Sequence, residues 1–288
     1  PGIRAAQESR GLGDVYKRQA LEDDKVDMNT VVDTENGVLS FYGAKVRDSK
    51  KGGYGKISLN EVFKLSSNTG IVKIINEAYK EDPKKFSNRL YNMGLNNKLG
   101  LSILGESSPK IPHPNDKDWS GLSLPWMVYG YGVLLSPLQI LTFYNAVANN
   151  GEMVKPIFRK KNTLISNKII LNPSICSKST LDNVKLMLEN VVNEDGGTGS
   201  NIKSDIYKIA GKTGTGQVDY TTDNVQYISS FVGYFPADKP KYSCIVVIHK
   251  PNKSKGYYGS TVAAPVFKKI ADKIYSLTPE RVELDNLR

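Results

Sequence analysis

Three strand-like segments near the carboxyl end of this chain restrict the folds that it can adopt. Residues 206–215, 227–235 and 242–250 are rich in Ile, Val, Tyr and Phe, the side chains that favour strands. Asp238-Lys239-Pro240, between the second and third segments, is typical of a hairpin loop. These segments predict an antiparallel sheet.

Helical patterns flank this predicted sheet on both sides. A last helix is expected after Pro265, with Val266, Ile270 and Ile274 spaced so that they share one face. The part of the chain before the sheet carries mainly helix signals. Helices, then a sheet, then a closing helix indicate the α+β class, with an antiparallel sheet packed by helices.

Several helices are predicted before the sheet, because their first residues carry start signals. A Ser followed three residues later by Glu or Gln forms a capping box, and a Pro in the first turn favours a helix start. The helix after Ser58 is interrupted at Ser66-Ser67-Asn68, and its apolar spacing resumes beyond that point. The predicted starts are Ser58, Asp82-Pro83, Ser136 and Ser179, and the last three helices are expected to end near Gly94, Gly151 and Asn193.

The first 19 residues differ from the rest of the chain. Residues 1–19 show no sustained apolar period, whereas the chain from Ala20 onward has the patterns of one coherent domain. We therefore place a boundary between Gln19 and Ala20, interpret residues 1–19 as a foreign or artefactual segment, and assign residues 20–288 to one domain. Because the chain begins with Pro1 rather than Met, we expect it to be a fragment.

Composition and charge argue against several classes of function. The formal net charge is +10, but the lysines are spread along the chain and form no basic helix, so no nucleic-acid partner is expected. Cys176 and Cys244 are isolated, and His113 and His249 are the only histidines, so neither a metal site nor a histidine base is predicted. The sequence contains no run of 18 apolar residues, which predicts no membrane span within it.

Lys212-Thr213-Gly214 lies at the end of the first predicted strand and is followed by Thr215-Gly216-Gln217. A strand edge of this composition can offer backbone N–H groups to an oxyanion, a lysine charge, and small hydroxyls to a carboxylate. Its glycines leave room for a ligand to approach the backbone. The match is weak by itself, since most lysines in strands are simply solvated.

Ser66-Ser67-Asn68 occupies the interruption between two helical runs. Ser and Asn side chains at such an interruption can point into a cleft. The simpler interpretation is that Ser67 or Asn68 caps the second helix. The two motifs together are more specific, because one lies between helices and the other lies on a strand that precedes a hairpin and a closing helix.

In this order the two motifs resemble the penicillin-binding protein and serine β-lactamase superfamily, whose signature is S-x-x-K, S-x-N and K-T-G. Over residues 20–277 the chain is similar to class B penicillin-binding proteins of cell division. The other similar segments are Gly53-Tyr54-Gly55, 119–126, 135–139, 145–151, Ala210-Gly211 and 258–265. The resemblance implies the α+β fold of that superfamily, including a helical subdomain.

The resemblance also implies catalytic roles. Ser66 would shuttle a proton between the nucleophile and the leaving group, and Lys212 would set a positive potential and keep Ser66 polarised. Asn68 would hold the acyl-side amide of the substrate. No metal or organic cofactor is implied.

The remaining residues of the K-T-G strand would bind substrate. Thr213 and Thr215 would bind the terminal carboxylate of the peptide, and the Thr215 N–H would supply one half of the oxyanion hole. Gly214, Gly216 and Gln217 complete the expected substrate-binding strand.

The S-x-x-K serine is missing where the family carries it. That serine is expected near position 10, and Ser9-Arg10-Gly11-Leu12 has no lysine three residues after its serine. Gly11 and Gly13 also disfavour a buried helix. Ser200-Asn201-Ile202-Lys203 does match S-x-x-K, but it follows a Gly-rich run and is expected in the loop before the strand, not as the nucleophile.

By this resemblance, the parent protein would be a peptidoglycan D,D-transpeptidase that cross-links stem peptides through a serine acyl-enzyme. Its expected partners are stem peptides ending in D-Ala-D-Ala, β-lactam antibiotics, and proteins of division or cell-wall synthesis. It would act at the extracytoplasmic face of the inner membrane of a bacterial envelope. The chain itself is expected to be inactive, since it lacks the nucleophile.

Two alternatives remain open. A β-lactamase or D,D-carboxypeptidase of the same fold would hydrolyse β-lactams rapidly as the full-length protein. A non-catalytic, β-lactam-sensing pseudoenzyme would have no S-x-x-K about ten residues upstream of Ala20 in its full sequence.

Overall fold

The computed structural model describes residues 19–128, 130–158, 168–218 and 225–277, together with the backbone of residues 7–8. The expected nucleophile position at Ser9–Leu12 and the glycines Gly11 and Gly13 lie outside these residues. Among the helices in the described ranges, none combines the length and the apolar character that crossing a membrane requires.

The elements alternate short strands and helices before a longer sheet. The strands are β1 (Gln7–Glu8), β2 (Val31–Asp33), β3 (Val38–Phe41), β4 (Ala44–Arg47), β5 (Lys56–Ser58), β6 (Leu134–Leu135), β7 (Met153–Val154), β8 (Ile170–Asn172), β9 (Ala210–Val218), β10 (Gln226–Phe235) and β11 (Tyr242–His249). The helices are α1 (Leu59–Lys64), α2 (Asn68–Tyr79), α3 (Pro83–Asn92), α4 (Ser123–Val128), α5 (Pro137–Ala148), α6 (Lys178–Asn193), α7 (Gly259–Val262) and α8 (Ala264–Leu277). Residues 19–22 form a helical turn, and Ser200–Ile202 a 3₁₀ turn.

The predicted antiparallel sheet is confirmed, with the strand order β11-β10-β9. Its first strand begins at Ala210, not at residue 206 as predicted, and extends to Val218. The later start has a physical cause. Ala210 pairs with Tyr234, and β10 has only Phe235 left beyond that point, before Pro236, which has no N–H to donate.

The predicted helix starts are confirmed by their caps. The Ser58 hydroxyl accepts the Glu61 N–H at 3.2 Å while the Glu61 carboxylate accepts the Ser58 N–H at 3.0 Å, and Ser136 with Gln139 repeats this arrangement. Asp82 caps α3, with Pro83 in its first turn. The helix expected from Ser179 begins one residue earlier, at Lys178, because Ser177 is its cap. Local side chain to backbone bonds therefore determine these starts.

The predicted apolar face of the closing helix is only partly right, because Ile274 packs against the core but Val266 and Ile270 do not. Val266 and Ile270 are 39% and 36% exposed, whereas Phe267 and Ala271 are fully buried. The Phe267 ring packs at 4.7 Å from the Phe231 ring of β10. Burying this large aromatic ring orients α8 so that Val266 and Ile270 lie to the side of the core.

Helices that precede β9 in the sequence pack against the sheet. The helix α5 packs against β10 and β11, α6 packs against β9, and α1 packs against α6. The helix α2 contacts α1, α3 and α4, and the short pairs β2–β5 and β3–β4 lie next to it. The fold thus places the end of α1 and the start of α2 close to the strand β9.

The described part of residues 1–19 is small. The backbone of β1 pairs with β6, with Gln7 opposite Leu135. Gln19 is fully buried in the helical turn, and its Nε2 donates to the Phe86 carbonyl at 3.0 Å. Gln19 therefore packs with residues on the other side of the predicted boundary.

Candidate active site

The tripeptide Ser66-Ser67-Asn68, here called the helix junction, ends one helix and starts the next. The Ser67 N–H donates to the Val62 carbonyl at 3.0 Å, and the Ser66 N–H donates to the Phe63 carbonyl at 3.2 Å. This pair of bonds is a Schellman motif, whose left-handed residue is usually glycine. Here it is Ser66, with a φ of 56°. The α1 helix therefore ends at a serine whose left-handed backbone conformation is unfavourable for a residue with a side chain.

The other half of the helix junction starts α2. The Ser67 hydroxyl caps α2 by accepting the Gly70 N–H at 3.0 Å, so the simpler interpretation of Ser67 is confirmed. Asn68 is the first residue of α2, and its Nδ2 donates to the Arg47 carbonyl at 2.7 Å. Capping by Ser67 and a site at Ser66 are compatible, because the three side chains of the helix junction have different partners.

The structure brings the two sequence motifs together. Lys212 is only 5% exposed, and its Nζ donates a hydrogen bond to the Ser66 hydroxyl. The same ammonium donates to the Thr213 carbonyl at 3.2 Å and to the Thr213 hydroxyl at 3.3 Å. A charge this deeply buried requires such partners, so the helix junction and the K-T-G strand are electrostatically connected.

Thr198 belongs to the same cluster, although its sequence context did not predict this. Its hydroxyl accepts from the Thr213 hydroxyl at 3.0 Å and lies 3.5 Å from the Ser66 hydroxyl. Its N–H donates to the Lys64 carbonyl at 3.2 Å, and the Lys64 ammonium pairs with Glu194 at 3.0 Å. The only sequence signal was the Gly-rich run that surrounds Thr198, which was interpreted only as a loop.

The outer part of the K-T-G strand is supported by the segment before α7. The Thr215 hydroxyl accepts the Gly259 N–H at 2.9 Å. A Cβ atom at residue 259 would lie 2.4 Å from the Ser230 carbonyl oxygen and 2.5 Å from that of Gly214, so only glycine fits there. The Thr215 hydroxyl keeps its own proton as a donor for a ligand.

The strand β9 also forms one edge of the described sheet. Gly216 and Gln217 continue it, opposite Ile228 and Tyr227 of β10. Along an edge strand, every second residue directs its N–H and C=O groups away from the neighbouring strand. This edge can therefore offer backbone groups to an extended ligand.

The S-x-x-K matches in the described residues lie elsewhere. Ser200 begins the 3₁₀ turn in the loop between α6 and β9, where it was expected, and Lys203 is exposed. A second match, Ser107-Ser108-Pro109-Lys110, was not among the predicted candidates. The Lys110 ammonium pairs with Asp118 at 3.0 Å, and this hydrogen bond raises the pKa of Lys110. Its partner therefore stabilises the charged form of Lys110, which does not favour a role as a base.

The cluster of Ser66, Lys212, Thr213 and Thr198 offers defined chemistry. A buried ammonium and three hydroxyls can polarise a bond, relay a proton and bind an anionic group. Within the ranges that the structure describes, no group of three or more His, Cys, Asp or Glu side chains is placed to hold a metal ion.

The chain is similar in sequence to longer known proteins. It is 31% identical over 265 residues to the peptidoglycan D,D-transpeptidase FtsI of Buchnera aphidicola subsp. Baizongia pistaciae. It is also 31% identical over 258 residues to the stage V sporulation protein D of Bacillus subtilis. These alignments cover 90% and 86% of this chain but 44% and 38% of the relatives. The chain thus spans less than half the length of these relatives.

Solved structures show the same fold. The apo structure of the TP domain of penicillin-binding protein 3 from Burkholderia pseudomallei superposes with a TM-score of 0.79 at 29% identity, over 94% of this chain and 79% of that chain. A peptidoglycan glycosyltransferase from Burkholderia ambifaria gives a TM-score of 0.78 at 28% identity, over 93% and 78%. The α+β fold implied by the resemblance is confirmed.

The family described as penicillin binding protein transpeptidase domain matches residues 18–272, which include the helix junction and the K-T-G strand. This match covers most of the chain. The chain therefore belongs to the penicillin-binding protein transpeptidase domain family.

Proposed function

We propose that this chain is part of a class B peptidoglycan D,D-transpeptidase and supplies two of the three motifs of its active site. The observation that carries the proposal is the hydrogen bond from Lys212 to Ser66, which joins the S-x-N and K-T-G motifs. In this proposal residues 19–288 are an incomplete transpeptidase domain, and residues 1–18 are foreign to it, since the buried Gln19 packs with the residues that follow it. The S-x-x-K serine belongs to a helix of the parent enzyme.

The reaction of the parent enzyme proceeds through an acyl-enzyme. The S-x-x-K serine oxygen attacks the penultimate D-Ala carbonyl of a stem peptide, the C–N bond breaks, and terminal D-Ala leaves as the amine after accepting a proton. An amine of a second stem peptide then attacks the ester carbonyl, and the serine oxygen leaves and regains a proton. Ser66, polarised by Lys212, relays the proton between nucleophile and leaving group.

The K-T-G strand and Asn68 orient the donor peptide. The Thr215 hydroxyl binds the terminal carboxylate, close to the buried Lys212 charge. The Thr213 hydroxyl turns from Thr198 to the same carboxylate, and the Thr215 N–H stabilises the oxyanion. Gly214, Gly216 and Gln217 align the extended peptide. Asn68 is held at its Nδ2 by Arg47, so its carboxamide is fixed for hydrogen bonding to the acyl-side amide of the substrate.

The proposed partners follow from this reaction. They are stem peptides ending in D-Ala-D-Ala, β-lactams that mimic them, and the proteins of division or cell-wall synthesis that act with the parent. The parent would be an acyltransferase of the periplasmic face of the cell envelope. No cofactor is required by the proposed chemistry.

Labelling with a fluorescent penicillin tests the proposal. After denaturing electrophoresis, the unmodified chain should show no labelled band, because it lacks the nucleophile. Replacing residues 1–18 by an S-x-x-K helix of the family should restore the band. In that restored protein Lys212→Ala should slow acylation about 100-fold or more, since it removes a preorganised charge.

Three outcomes would contradict the proposal. A band in the unmodified chain that is lost in Ser200→Ala would make Ser200 the nucleophile. Undiminished acylation of the Lys212→Ala protein would remove Lys212 from the site. Rapid β-lactam hydrolysis by the restored protein, measured by absorbance, would indicate a β-lactamase instead.

A further inference from the structure

The carboxylate of Asp48 binds the first turn of α2. It accepts the Thr69 hydroxyl at 2.6 Å, the Thr69 N–H at 3.0 Å, and the Ser67 hydroxyl at 3.1 Å from each of its oxygens. Hydrogen bonds to an ionised carboxylate are the strong kind, and the N-terminus of a helix favours a negative charge. Asp48 is therefore the main anion at the start of α2.

The residue before Asp48 binds the same turn. The Arg47 carbonyl accepts the Asn68 side chain, and the Asp48 N–H donates to the Gly37 carbonyl at 2.9 Å, which continues the β3–β4 pairing by one residue. The end of a strand thus holds the side chains of three successive residues, Ser67, Asn68 and Thr69. Ser66 is the residue immediately before them.

Ser66 needs external restraint, because its left-handed conformation is unfavourable for a residue with a side chain. On its amino-terminal side the two bonds of the Schellman motif restrain it. On its carboxyl-terminal side the nearest restraint is the set of hydrogen bonds that Ser67 and Thr69 donate to the Asp48 carboxylate. Release of α2 would allow Ser66 to leave the left-handed region, and its hydroxyl would turn away from Lys212.

We propose that Asp48 is a positioning residue, which holds Ser66 in the conformation that directs its hydroxyl to Lys212. Asp48 acts through Ser67 and Thr69 and does not touch the reacting atoms. The inference concerns the same site as the proposed function and rests on it for its catalytic meaning. The geometric claim itself is tested without any acylation by penicillin.

The experiment measures how fast a trace of acetic anhydride acetylates Lys212 in the folded chain, relative to its other lysines. The chain is digested after labelling, and mass spectrometry of the peptides gives the extent of acetylation at each lysine. The Ser66→Ala variant sets the rate for a Lys212 without its serine partner. Asp48→Asn keeps the shape of the side chain but removes its charge. Thr69→Val removes the 2.6 Å bond and leaves the charge of Asp48 in place.

The matched control is Asp82→Asn, which makes the same charge-removing change at the start of a different helix. Asp82 accepts the Lys85 N–H at the start of α3, at 3.2 Å. We expect Asp48→Asn to raise the Lys212 rate about tenfold, towards the Ser66→Ala value, as the loss of a charge-assisted hydrogen bond implies. Thr69→Val should raise it about threefold, because it removes one bond of the set. The control should leave it unchanged.

Each other result overturns the inference. An unchanged Lys212 rate in Asp48→Asn would show that Ser66 is held without Asp48. A rise in Asp48→Asn but not in Thr69→Val would be a charge effect on Lys212, and an equal rise in the control would be general loosening. If Asp48→Asn does not fold, Thr69→Val decides alone. Failure of the penicillin experiment would not change any of these rates.

Discussion

Replacing Ser66 by glycine is expected to give a more stable protein than replacing it by alanine. Both substitutions remove the hydroxyl that Lys212 contacts, so this loss cancels in the comparison. The left-handed conformation at a φ of 56° costs a residue with a Cβ atom about 1–2 kcal/mol. Glycine escapes that cost but loses about 0.4–1 kcal/mol through the greater freedom of its unfolded chain.

The expected difference is the balance of these two effects. Ser66→Gly should exceed Ser66→Ala by about 1 kcal/mol in free energy of unfolding. For a chain of this length that difference corresponds to a shift of about 2 °C in Tm. Urea unfolding of the two variants in parallel, with equal m-values, measures the difference directly.

Asn150 offers a matched control at the end of α5. It has a φ of 53°, and the Gly151 N–H donates to the Ala146 carbonyl at 2.8 Å, so it occupies the same position of a Schellman motif. Asn150→Gly should likewise exceed Asn150→Ala by about 1 kcal/mol. If the gap appears at Asn150 but Ser66→Ala equals or exceeds Ser66→Gly, then Ser66 is not held in a strained conformation and the reasoning fails.

Two further predictions concern packing. Gly259→Ala should lower the free energy of unfolding by about 2 kcal/mol or more, because the added Cβ would meet two carbonyl oxygens of the sheet. The measurement is the urea midpoint, which should fall. An unchanged midpoint would place the α7 segment farther from β9. Burial raises the pKa of the Cys244 thiol, so at pH 8 its thiolate fraction is lower than that of an ordinary cysteine. Ellman's reagent should therefore modify Cys244 slowly in the folded chain and rapidly in urea. Equal rates of modification would contradict the burial of Cys244.

Local signals in the sequence predicted the helix starts well. The capping boxes at Ser58 and Ser136 depend on residues three positions apart, so they do not require knowledge of the rest of the fold. The sheet was predictable for a similar reason, since its hairpin loop and its strand composition are local. The pairing of Lys212 with Ser66 was expected only through the family resemblance, because no local rule connects residues so far apart in the chain.

The features that were missed depend on tertiary packing. The face of α8 is determined by the fit of Phe267 against the rings of the sheet, and periodicity alone does not reveal which of two adjacent apolar stripes is buried. Thr198 lies in a loop without regular spacing. The left-handed conformation of Ser66 was not predictable either, since serine is uncommon at the position where glycine usually ends a helix.

The contacts of Lys64 determine which parts of the site can move together. Its ammonium pairs with Glu194 and its carbonyl accepts the Thr198 N–H, so one residue of α1 holds the Thr198 loop at two points. Ser66 lies two residues after Lys64. The Ser66 and Thr198 hydroxyls therefore belong to one unit, and Lys212 and Thr213 belong to the strand opposite. A cleft that widened between these units would break the Lys212–Ser66 and Thr213–Thr198 hydrogen bonds at once, and would leave the Ser66 and Thr198 hydroxyls next to each other.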